Sequence, residues 1–509
     1  MSAMNFHSAA FRHQNPAFFG HPVPHLGKKA WSALAPLAVG AALALLPAPE
    51  GLAQHGWWFL ALFASVIVGL ILEPIPAAAI GFLGVTSAAL LARFVLFSPA
   101  QLASPGFNAN SGAISWALSG FSNSTVWLIF SAFVFSLGYE KTGLGKRLSL
   151  VLMSRLGGRS LTLGYAIMAA DLLLAPFTPS NTARSGGTIF PVIKNIPPFY
   201  QSLPNDPSSR RIGGYLMWTA IASTCVTSSM FLTGLAPNLL AVELIRKTVQ
   251  VDLGWTHWFL AFLPTGAILL LATPLLAYLV YPPDVKKCPE VPDWARGELT
   301  AMGALSGREI VLLSLVVLAL ALWIFGASLM DPATAALLVV GLLIVTRTVD
   351  WGDVLADKPA FNTLIWFGTL VPLAAGLAQT GVVGWMAGLA GPVLAGWPPL
   401  AGLAGLIVLF FLLHYLFAST TAHTTALLPL MLSVAVRIAG LPIDKAALAL
   451  GLSLGLMGII SPYGTGPSPV YAGSGYLPGR DYWRLGALFG AVYLLVFLAV
   501  GLPTVLFLR

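Results

Sequence analysis

The chain has 509 residues, of which 57% are hydrophobic and 9% are charged, whereas an ordinary soluble domain carries about 25% charged residues. Mean hydropathy is +0.84, and the apolar residues form blocks long enough to cross a bilayer. This composition excludes a soluble protein, and the long blocks exclude a porin-like barrel, whose strands are short and alternate in polarity. The net charge of +8 comes from basic residues in loops beside these blocks, so it indicates a lipid bilayer as partner and no nucleic acid.

Residues 1–30 contain no apolar core with a cleavage site, so they predict a cytosolic N-terminal tail. The two cysteines, Cys225 and Cys288, have no metal-ligand companions in the sequence. The pattern therefore predicts no disulfide, no metal site and no cofactor.

The apolar windows predict an all-α polytopic membrane protein with 11 transmembrane helices. They lie at 33–48, 57–73, 78–97, 113–139, 213–247, 258–282, 309–330, 333–346, 361–388, 446–474 and 485–508. Two further apolar stretches, 162–193 and 400–436, are broken in the middle by polar, small and proline residues. Each half is expected to be too short to cross a hydrocarbon core of about 30 Å, so each stretch is predicted to be a re-entrant hairpin.

The distribution of basic residues favours this topology. With the N-terminus inside and both hairpins re-entrant, 19 of the 26 basic residues fall in cytoplasmic loops and 6 outside, while Arg184 stays within the membrane. If both stretches crossed fully, the later loops would change sides and the bias would be lost.

The chain also matches itself at a nearly constant offset. The matched residues are Thr125, Ser131, Gly138, Thr142 and Gly143 with Thr363, Thr369, Gly376, Thr380 and Gly381, then Ser180, Thr182, Ala183 and Arg184 with Ser419, Thr421, Ala422 and His423. Farther on, the broken span at 234–238 corresponds to 464–468. The order of span, hairpin and broken span indicates a duplication with inverted topology, which is typical of secondary transporters with a site near the membrane midplane.

The two hairpin tips carry short neutral donors and acceptors, namely Ser180, Asn181, Thr182, Ser419, Thr420 and Thr421. Because a half-helix begins after each tip, its positive dipole end favours an anion there. The same side chains could instead only cap the half-helices. We expect capping and ligand binding to be compatible.

Arg184 and His423 bear on the sign of the charge that the substrate carries. A cation near a helix N-terminus inside the membrane requires a negative partner. Arg184 could form a structural ion pair or serve as the cation of an anion site. Asp171 lies nine residues before Ser180 and is expected to sit too deep to be its partner. His423 could be a neutral, hydrogen-bonded histidine or a second cation.

At these residues the chain resembles the divalent anion:sodium symporter (DASS) family. The segments from Ser180 to Pro191 and from Ser461 to Pro469 are most similar to its exchanger branch, which includes citrate/succinate antiporters and 2-oxoglutarate/malate translocators. The resemblance covers nearly the whole chain after residue 30. It implies a homodimeric elevator-type transporter and no enzyme.

The resemblance also implies a division of the chain after the tail. Scaffold helices would occupy 31–160 and 301–390, and a mobile transport domain would consist of 161–300 and 391–509.

Carried over to this sequence, the family pattern assigns substrate binding to both tips and both broken spans. The assigned residues are Ser180, Asn181, Thr182, Gly234, Pro237, Asn238, Ser419, Thr420, Thr421, Gly464, Thr465 and Pro467. Arg184 and His423 would supply fixed charge in place of coupling ions. The implied activity is sodium-independent exchange of C4 or C5 dicarboxylates such as malate, succinate or 2-oxoglutarate, with citrate or tartrate as further candidates.

Other functions stay open at the level of sequence. A sodium- or proton-coupled symporter of the same fold is the main alternative, because Ser180 and Asn181 still resemble half of a sodium site and His423 or Asp171 could carry a proton. A channel is disfavoured by the paired hairpins, and an enzyme by the absence of a catalytic motif. The sequence does not rank the dicarboxylates. The short tail favours a bacterial inner membrane over a plastid envelope.

Overall fold

A computed structural model describes residues 26–326, 328–394 and 397–508, and the part of the chain that it describes is helical with no β-strand. In the first half the α-helices are Leu26–Leu45, Gln54–Leu72, Ala77–Leu90, Ala92–Val95, Pro99–Leu102, Ala109–Leu118, Ser124–Thr142, Leu144–Leu156, Ser160–Leu174, Phe190–Ile193, Gly213–Met230, Ala236–Val249 and Trp255–Val280. In the second half they are Glu290–Met302, Gly307–Phe325, Pro332–Val345, Trp351–Ala356, Lys358–Gln379, Val382–Leu394, Pro399–Leu413, Thr420–Ala435, Ile443–Leu452, Leu454–Met457, Ser468–Ala472, Gly479–Val496 and Leu502–Phe507. Short 3₁₀ turns lie at Ser119–Ser122, Ala175–Phe177, Pro197–Tyr200, Pro207–Arg211, Leu232–Gly234 and His414–Leu416, and π-helical segments at Thr182–Ile189 and Phe497–Gly501.

Seven of these helices are long and apolar enough to cross a membrane, and a bent pair raises the number to eight. Three shorter apolar helices, Trp31–Leu45, Ala77–Leu90 and Pro332–Val345, lie among them. The chain is therefore a multi-pass membrane protein. Most of the predicted tail, 1–25, lies outside the described residues, and the first helix begins at Leu26, so residues 26–30 are helical.

Local capping explains where several helices begin. Ser306 Oγ accepts a hydrogen bond from the Glu309 amide at 3.2 Å, and the Glu309 carboxylate accepts one from the Ser306 amide at 2.8 Å. This reciprocal pair satisfies two backbone donors at the start of Gly307–Phe325 that have no partner within the helix.

Two predicted spans are broken in the structure. The span at 113–139 divides into Ala109–Ser122 and Ser124–Thr142, with a bend of 42°, because the Asn123 side chain accepts hydrogen bonds from the next turn and starts a new helix. The span at 361–388 ends at Gln379 and restarts at Val382. Gly381 lies between the two helices with φ +82°, a left-handed conformation that stops an α-helix.

The first arm of each predicted hairpin is longer than expected. Ser160–Phe177 and Pro399–Leu416 have 18 residues each and are both long and apolar enough to cross. The expectation that every arm is too short is therefore wrong for these two. The 3₁₀ turns Ala175–Phe177 and His414–Leu416 extend the arms almost up to the polar residues of each break.

The centre of the molecule is Gly213–Met230, in which all 18 residues are buried. This helix packs against Ser160–Leu174 and Trp255–Val280. Its hydroxyl side chains face the first broken segment, where they reach Arg184. A fully enclosed helix with a polar end thus positions the site described next.

Candidate functional site

The polar breaks of the two predicted hairpins meet at one pocket of about 210 Å³, called here the central pocket. We name residues 178–184 the first tip and residues 417–423 the second tip. Eight predicted site residues line the pocket: Ser180, Asn181, Thr182, Pro237, Ser419, Thr420, Thr421 and Thr465. Six others do not line it: Arg184, Gly234, Asn238, His423, Gly464 and Pro467. Segments more than 230 residues apart therefore converge as the sequence predicts, although Gly234 and Gly464 do not line the pocket.

The first tip folds as a cap and also touches the opposite half of the chain. The Ser180 side chain accepts a hydrogen bond from the Ala183 amide at 3.2 Å. Asn181 Nδ2 donates to Thr465 Oγ1 at 2.7 Å. A Cβ built on Gly466 would lie 1.8 Å from Thr182 Oγ1, so only glycine permits this approach.

The second tip has the corresponding geometry. Ser419 caps Thr420–Ala435 by accepting from the Ala422 amide at 3.5 Å, and Thr420 Oγ1 donates to the Gly464 carbonyl at 3.1 Å. The pocket thus lies at the start of this helix and of the π-helical segment Thr182–Ile189. Unpaired backbone amides and the positive end of the helix dipole favour an anion there.

Arg184 lies behind the first tip, with its side chain fully buried. Its Nε is 3.2 Å from Asp171 Oδ2, so the expectation that Asp171 is too deep to be its partner is wrong. The guanidinium side chain runs back along the first arm and closes that gap. The ion pair leaves the interior near the tip without a net charge when Asp171 is ionised.

The remaining donors of Arg184 join three elements. Nη1 donates to the carbonyls of Thr178 at 2.6 Å and Gly234 at 2.8 Å, which belong to the first tip and to the break between Gly213–Met230 and Ala236–Val249. Nη2 donates to hydroxyls of the central helix, at 3.3 Å to Thr224, 3.4 Å to Thr227 and 3.0 Å to Ser228. One cation therefore holds both carbonyls that the break and the tip leave without helical partners.

In the second half of the chain, a residue that the sequence analysis missed makes the contact that corresponds to the bond from Arg184 to the Gly234 carbonyl. His414 Nε2 donates to the Gly464 carbonyl at 2.7 Å. His423 instead lies among rings, with centroid separations of 4.3 Å to Phe410, 4.9 Å to His414 and 5.2 Å to Phe417. Neither of its ring nitrogens has a hydrogen-bond partner among the described residues. A second histidine nine residues before His423 was the available signal.

Four further residues were missed because they come from helices that no sequence pattern placed at the tips. Phe133 projects from Ser124–Thr142, and Thr363, Trp366 and Phe367 from Lys358–Gln379. The Trp366 Nε1 atom is buried and has no partner within the described ranges. Thr363 was noted in the internal repeat but not as a site residue.

The chemistry of the central pocket follows from its wall. The lining residues that the structure describes offer hydroxyl, amide and indole groups, and none of them carries a charge. Within the described chain no three His, Cys, Asp or Glu residues are grouped to hold a metal ion. The wall can bind a small anion through hydrogen bonds and two helix starts.

The family model described as the sodium:sulfate symporter transmembrane region matches residues 27–508. The chain belongs to the divalent anion:sodium symporter family. That membership confirms the resemblance predicted from the two tip motifs.

Among curated members of this family, the L-tartrate/succinate antiporter of Escherichia coli strain K12 is 50% identical over 472 residues, covering 93% of this chain and 97% of that protein. The protein of the same name from Shigella sonnei matches to the same extent. These relatives are exchangers, as the sequence predicted for the branch.

Two solved structures share the fold at low identity. The YdaH transporter of Alcanivorax borkumensis has a TM-score of 0.55 at 14% identity and covers 85% of this chain and 99% of its own. MtrF of Neisseria gonorrhoeae has a TM-score of 0.55 at 13% identity, with 93% and 98% covered. Both are transporters. At this identity, their similarity to this DASS member supports its fold and no more specific property.

Proposed function

We propose that the chain is a sodium-independent antiporter of C4 and C5 dicarboxylates in a bacterial inner membrane. The observation that carries the proposal is the central pocket, where two polar tips from opposite halves of the chain enclose about 210 Å³. The 50% identity to L-tartrate/succinate antiporters supports the same substrate class.

The pocket suits a dicarboxylate because its donors come in two groups. Ser180, Asn181 and Thr182 lie on one tip, and Ser419, Thr420 and Thr421 on the other. Each group accompanies a helix start, so each can hold one carboxylate. Malate, succinate and tartrate differ in hydroxyl groups that Thr465 and Trp366 could contact.

Exchange without sodium follows from the contacts of Arg184. In the symporters that the sequence resembles, the broken span beside the first tip helps to hold a sodium ion. Here the guanidinium already binds the Thr178 and Gly234 carbonyls, so no ion has to arrive or leave. In the second half, His414 binds the Gly464 carbonyl, whereas the sequence analysis expected His423 to supply the fixed charge there.

The geometry of the empty pocket gives a reason why movement should require cargo. Arg184 is paired with Asp171, so the empty site carries no stranded charge there. The empty pocket instead leaves two positive helix ends without a counter-charge, and beside it the buried Trp366 indole N–H has no partner among the described residues. A bound dianion satisfies these groups, which favours crossing in the loaded state in either direction.

We further infer an elevator movement of the inverted repeats within a homodimer, with 11 spans and two re-entrant hairpins. The tips belong to the predicted transport parts, 161–300 and 391–509. The opposite wall, formed by Phe133, Trp366 and Phe367, belongs to the predicted scaffold parts, 31–160 and 301–390. A pocket between a moving part and a static part is what this mechanism requires.

The test is uptake of labelled succinate into proteoliposomes that are either empty or loaded with unlabelled succinate, with sodium or choline outside. We expect uptake into loaded vesicles alone, with no dependence on sodium. Asn181→Ala should reduce that uptake, whereas Asn195→Ala, at an exposed position outside the pocket, should not. Sodium-dependent uptake into empty vesicles would contradict the proposal.

One observation favours proton-coupled symport as a second candidate. His423 is buried beside His414 and has two unpartnered ring nitrogens among the residues described, so it could take up a proton with the substrate. Uptake into empty vesicles driven by an inward proton gradient, and lost in His423→Phe, would support this candidate over exchange.

A further inference from the structure

A second cavity, of about 450 Å³, lies away from the central pocket and shares no lining residue with it. We call it the basic cavity. It lies where the 3₁₀ turn Pro207–Arg211 meets the end of Trp255–Val280 and the start of Gly479–Val496. Its lining residues are Arg210, Val280, Tyr281, Asp481, Arg484, Leu485 and Leu488. Nothing in the proposed transport mechanism uses it.

One side of the basic cavity is formed by three polar side chains that contact one another. The Arg210 guanidinium lies 3.8 Å above the centre of the Tyr281 ring and 3.7 Å from Asp481. Tyr281 donates its hydroxyl hydrogen to the same carboxylate at 2.8 Å. Asp481 is therefore engaged on one side, and Arg210 is held in place by stacking as well as by charge.

Arg484 supplies positive charge that no other group offsets. It lines the same cavity one helical turn after Asp481, but it has no hydrogen bond or ion pair to any residue that the structure describes. Arg211 and Lys286 lie close by, since the Val285 amide donates to the Arg211 carbonyl. With two arginines against one carboxylate, the cavity attracts an anion.

The other side of the basic cavity is aliphatic and exposed. Val280 is 40% exposed and Leu488 39% exposed, and each lies on a helix apolar enough to span the bilayer. A soluble anion would gain nothing from these side chains. An anionic phospholipid matches both walls, because its phosphate can bind the arginines while its acyl chains cover the aliphatic surface.

We propose that the basic cavity binds the headgroup of an anionic phospholipid. The count of basic residues predicts that Arg210, Lys286 and Arg484 lie on the cytoplasmic side, at an interface where such headgroups occur. The lipid would join Trp255–Val280 to Gly479–Val496, two helices that belong to different parts of the sequence, and would stabilise their packing.

The experiment measures binding of phosphatidylglycerol and phosphatidylcholine to the purified full chain by native mass spectrometry, with unfolding temperature as a second readout. The wild type should retain phosphatidylglycerol and unfold at a higher temperature with it than with phosphatidylcholine. Arg484→Gln should bind phosphatidylglycerol about tenfold more weakly, as expected for the loss of a charge-assisted contact. Arg484→Lys, which keeps the charge, should restore much of the binding.

Arg480→Gln is the matched control. Arg480 lies on the same helix and is exposed, but it does not line the cavity, so its removal lowers the net charge equally without touching the site. Equal weakening by Arg480→Gln and Arg484→Gln would overturn the proposal in favour of diffuse attraction. Equal protection by inorganic phosphate, or by phosphatidylcholine, would also overturn it, because the site would then not require an anionic lipid.

Discussion

Arg184 and Asp171 form a buried ion pair, with Nε 3.2 Å from Oδ2 and both side chains at most 1% exposed. The Thr227 hydroxyl donates to the same carboxylate oxygen, so the pair is part of a network and not an isolated contact. Charges removed from water to this degree are stable only when they are paired and hydrogen-bonded. The pair therefore supports the shape of the first tip without lining the central pocket.

Removing either partner should destabilise the protein strongly. Asp171→Asn leaves the guanidinium buried and uncompensated, and loss of one member of a buried pair costs about 3–5 kcal/mol. Arg184→Gln should lose a similar amount and also release the Thr178 and Gly234 carbonyls, so exchange should fall with it. Thermal unfolding of the purified variants and counterflow in vesicles measure the two effects.

The double variant Asp171→Asn/Arg184→Gln should be less unstable than the sum of the two single variants, because no unpaired charge remains. Asp353→Asn provides the control. It breaks an exposed pair with Lys141 that should contribute less than about 1 kcal/mol. If Asp171→Asn were no more harmful than Asp353→Asn, the ion pair would not hold the tip.

The same pair illustrates what the sequence could predict. The breaks at 176–184 and 418–423 were visible as polar residues inside apolar stretches, and the structure brings the two tips together at the central pocket. The contact between Arg184 and Asp171 was not visible, because it depends on how far a long side chain reaches back along the first arm. Trp366 and Phe133 were missed for a related reason, since apolar residues in a span give no sign of which helix they face.

Gly466→Ala should abolish exchange while leaving the fold intact. The added methyl would lie 1.8 Å from Thr182 Oγ1, so the first tip must move away from the second half and the pocket must change shape. The increase in unfolding temperature that succinate causes and the counterflow of succinate should both be lost. Gly341→Ala, where the added atom meets nothing within 4 Å, should behave as the wild type.

Thr182→Gly should partly restore exchange in the Gly466→Ala background, because it removes the clashing hydroxyl. A Gly466→Ala protein with normal exchange would mean that the two halves do not need to approach each other so closely during transport.

Trp366→Phe should raise the KM for dicarboxylate by about tenfold, the loss expected when a donor to a charged group is removed. The ring stays to fill the pocket wall, but the Nε1 hydrogen, which has no partner among the described residues, is gone. Trp351→Phe changes a tryptophan that is 59% exposed and should leave the KM unchanged. An unaltered KM in Trp366→Phe would show that the indole does not contact the substrate.

His414→Phe and His423→Phe should have unequal effects on exchange. His414→Phe removes the Nε2 hydrogen that holds the Gly464 carbonyl at 2.7 Å, leaving that buried carbonyl with Thr420 alone. The second tip should therefore loosen, and succinate counterflow should fall about tenfold, as expected for the loss of one buried hydrogen bond. His423→Phe places a ring among Phe410 and Phe417, which already surround that position, and should leave counterflow within about threefold of the wild type because no described hydrogen bond is lost. Counterflow measured at several pH values separates the two roles. A larger loss of counterflow in His423→Phe than in His414→Phe, together with a flattened pH profile, would contradict this prediction and show that His423 carries a proton during transport.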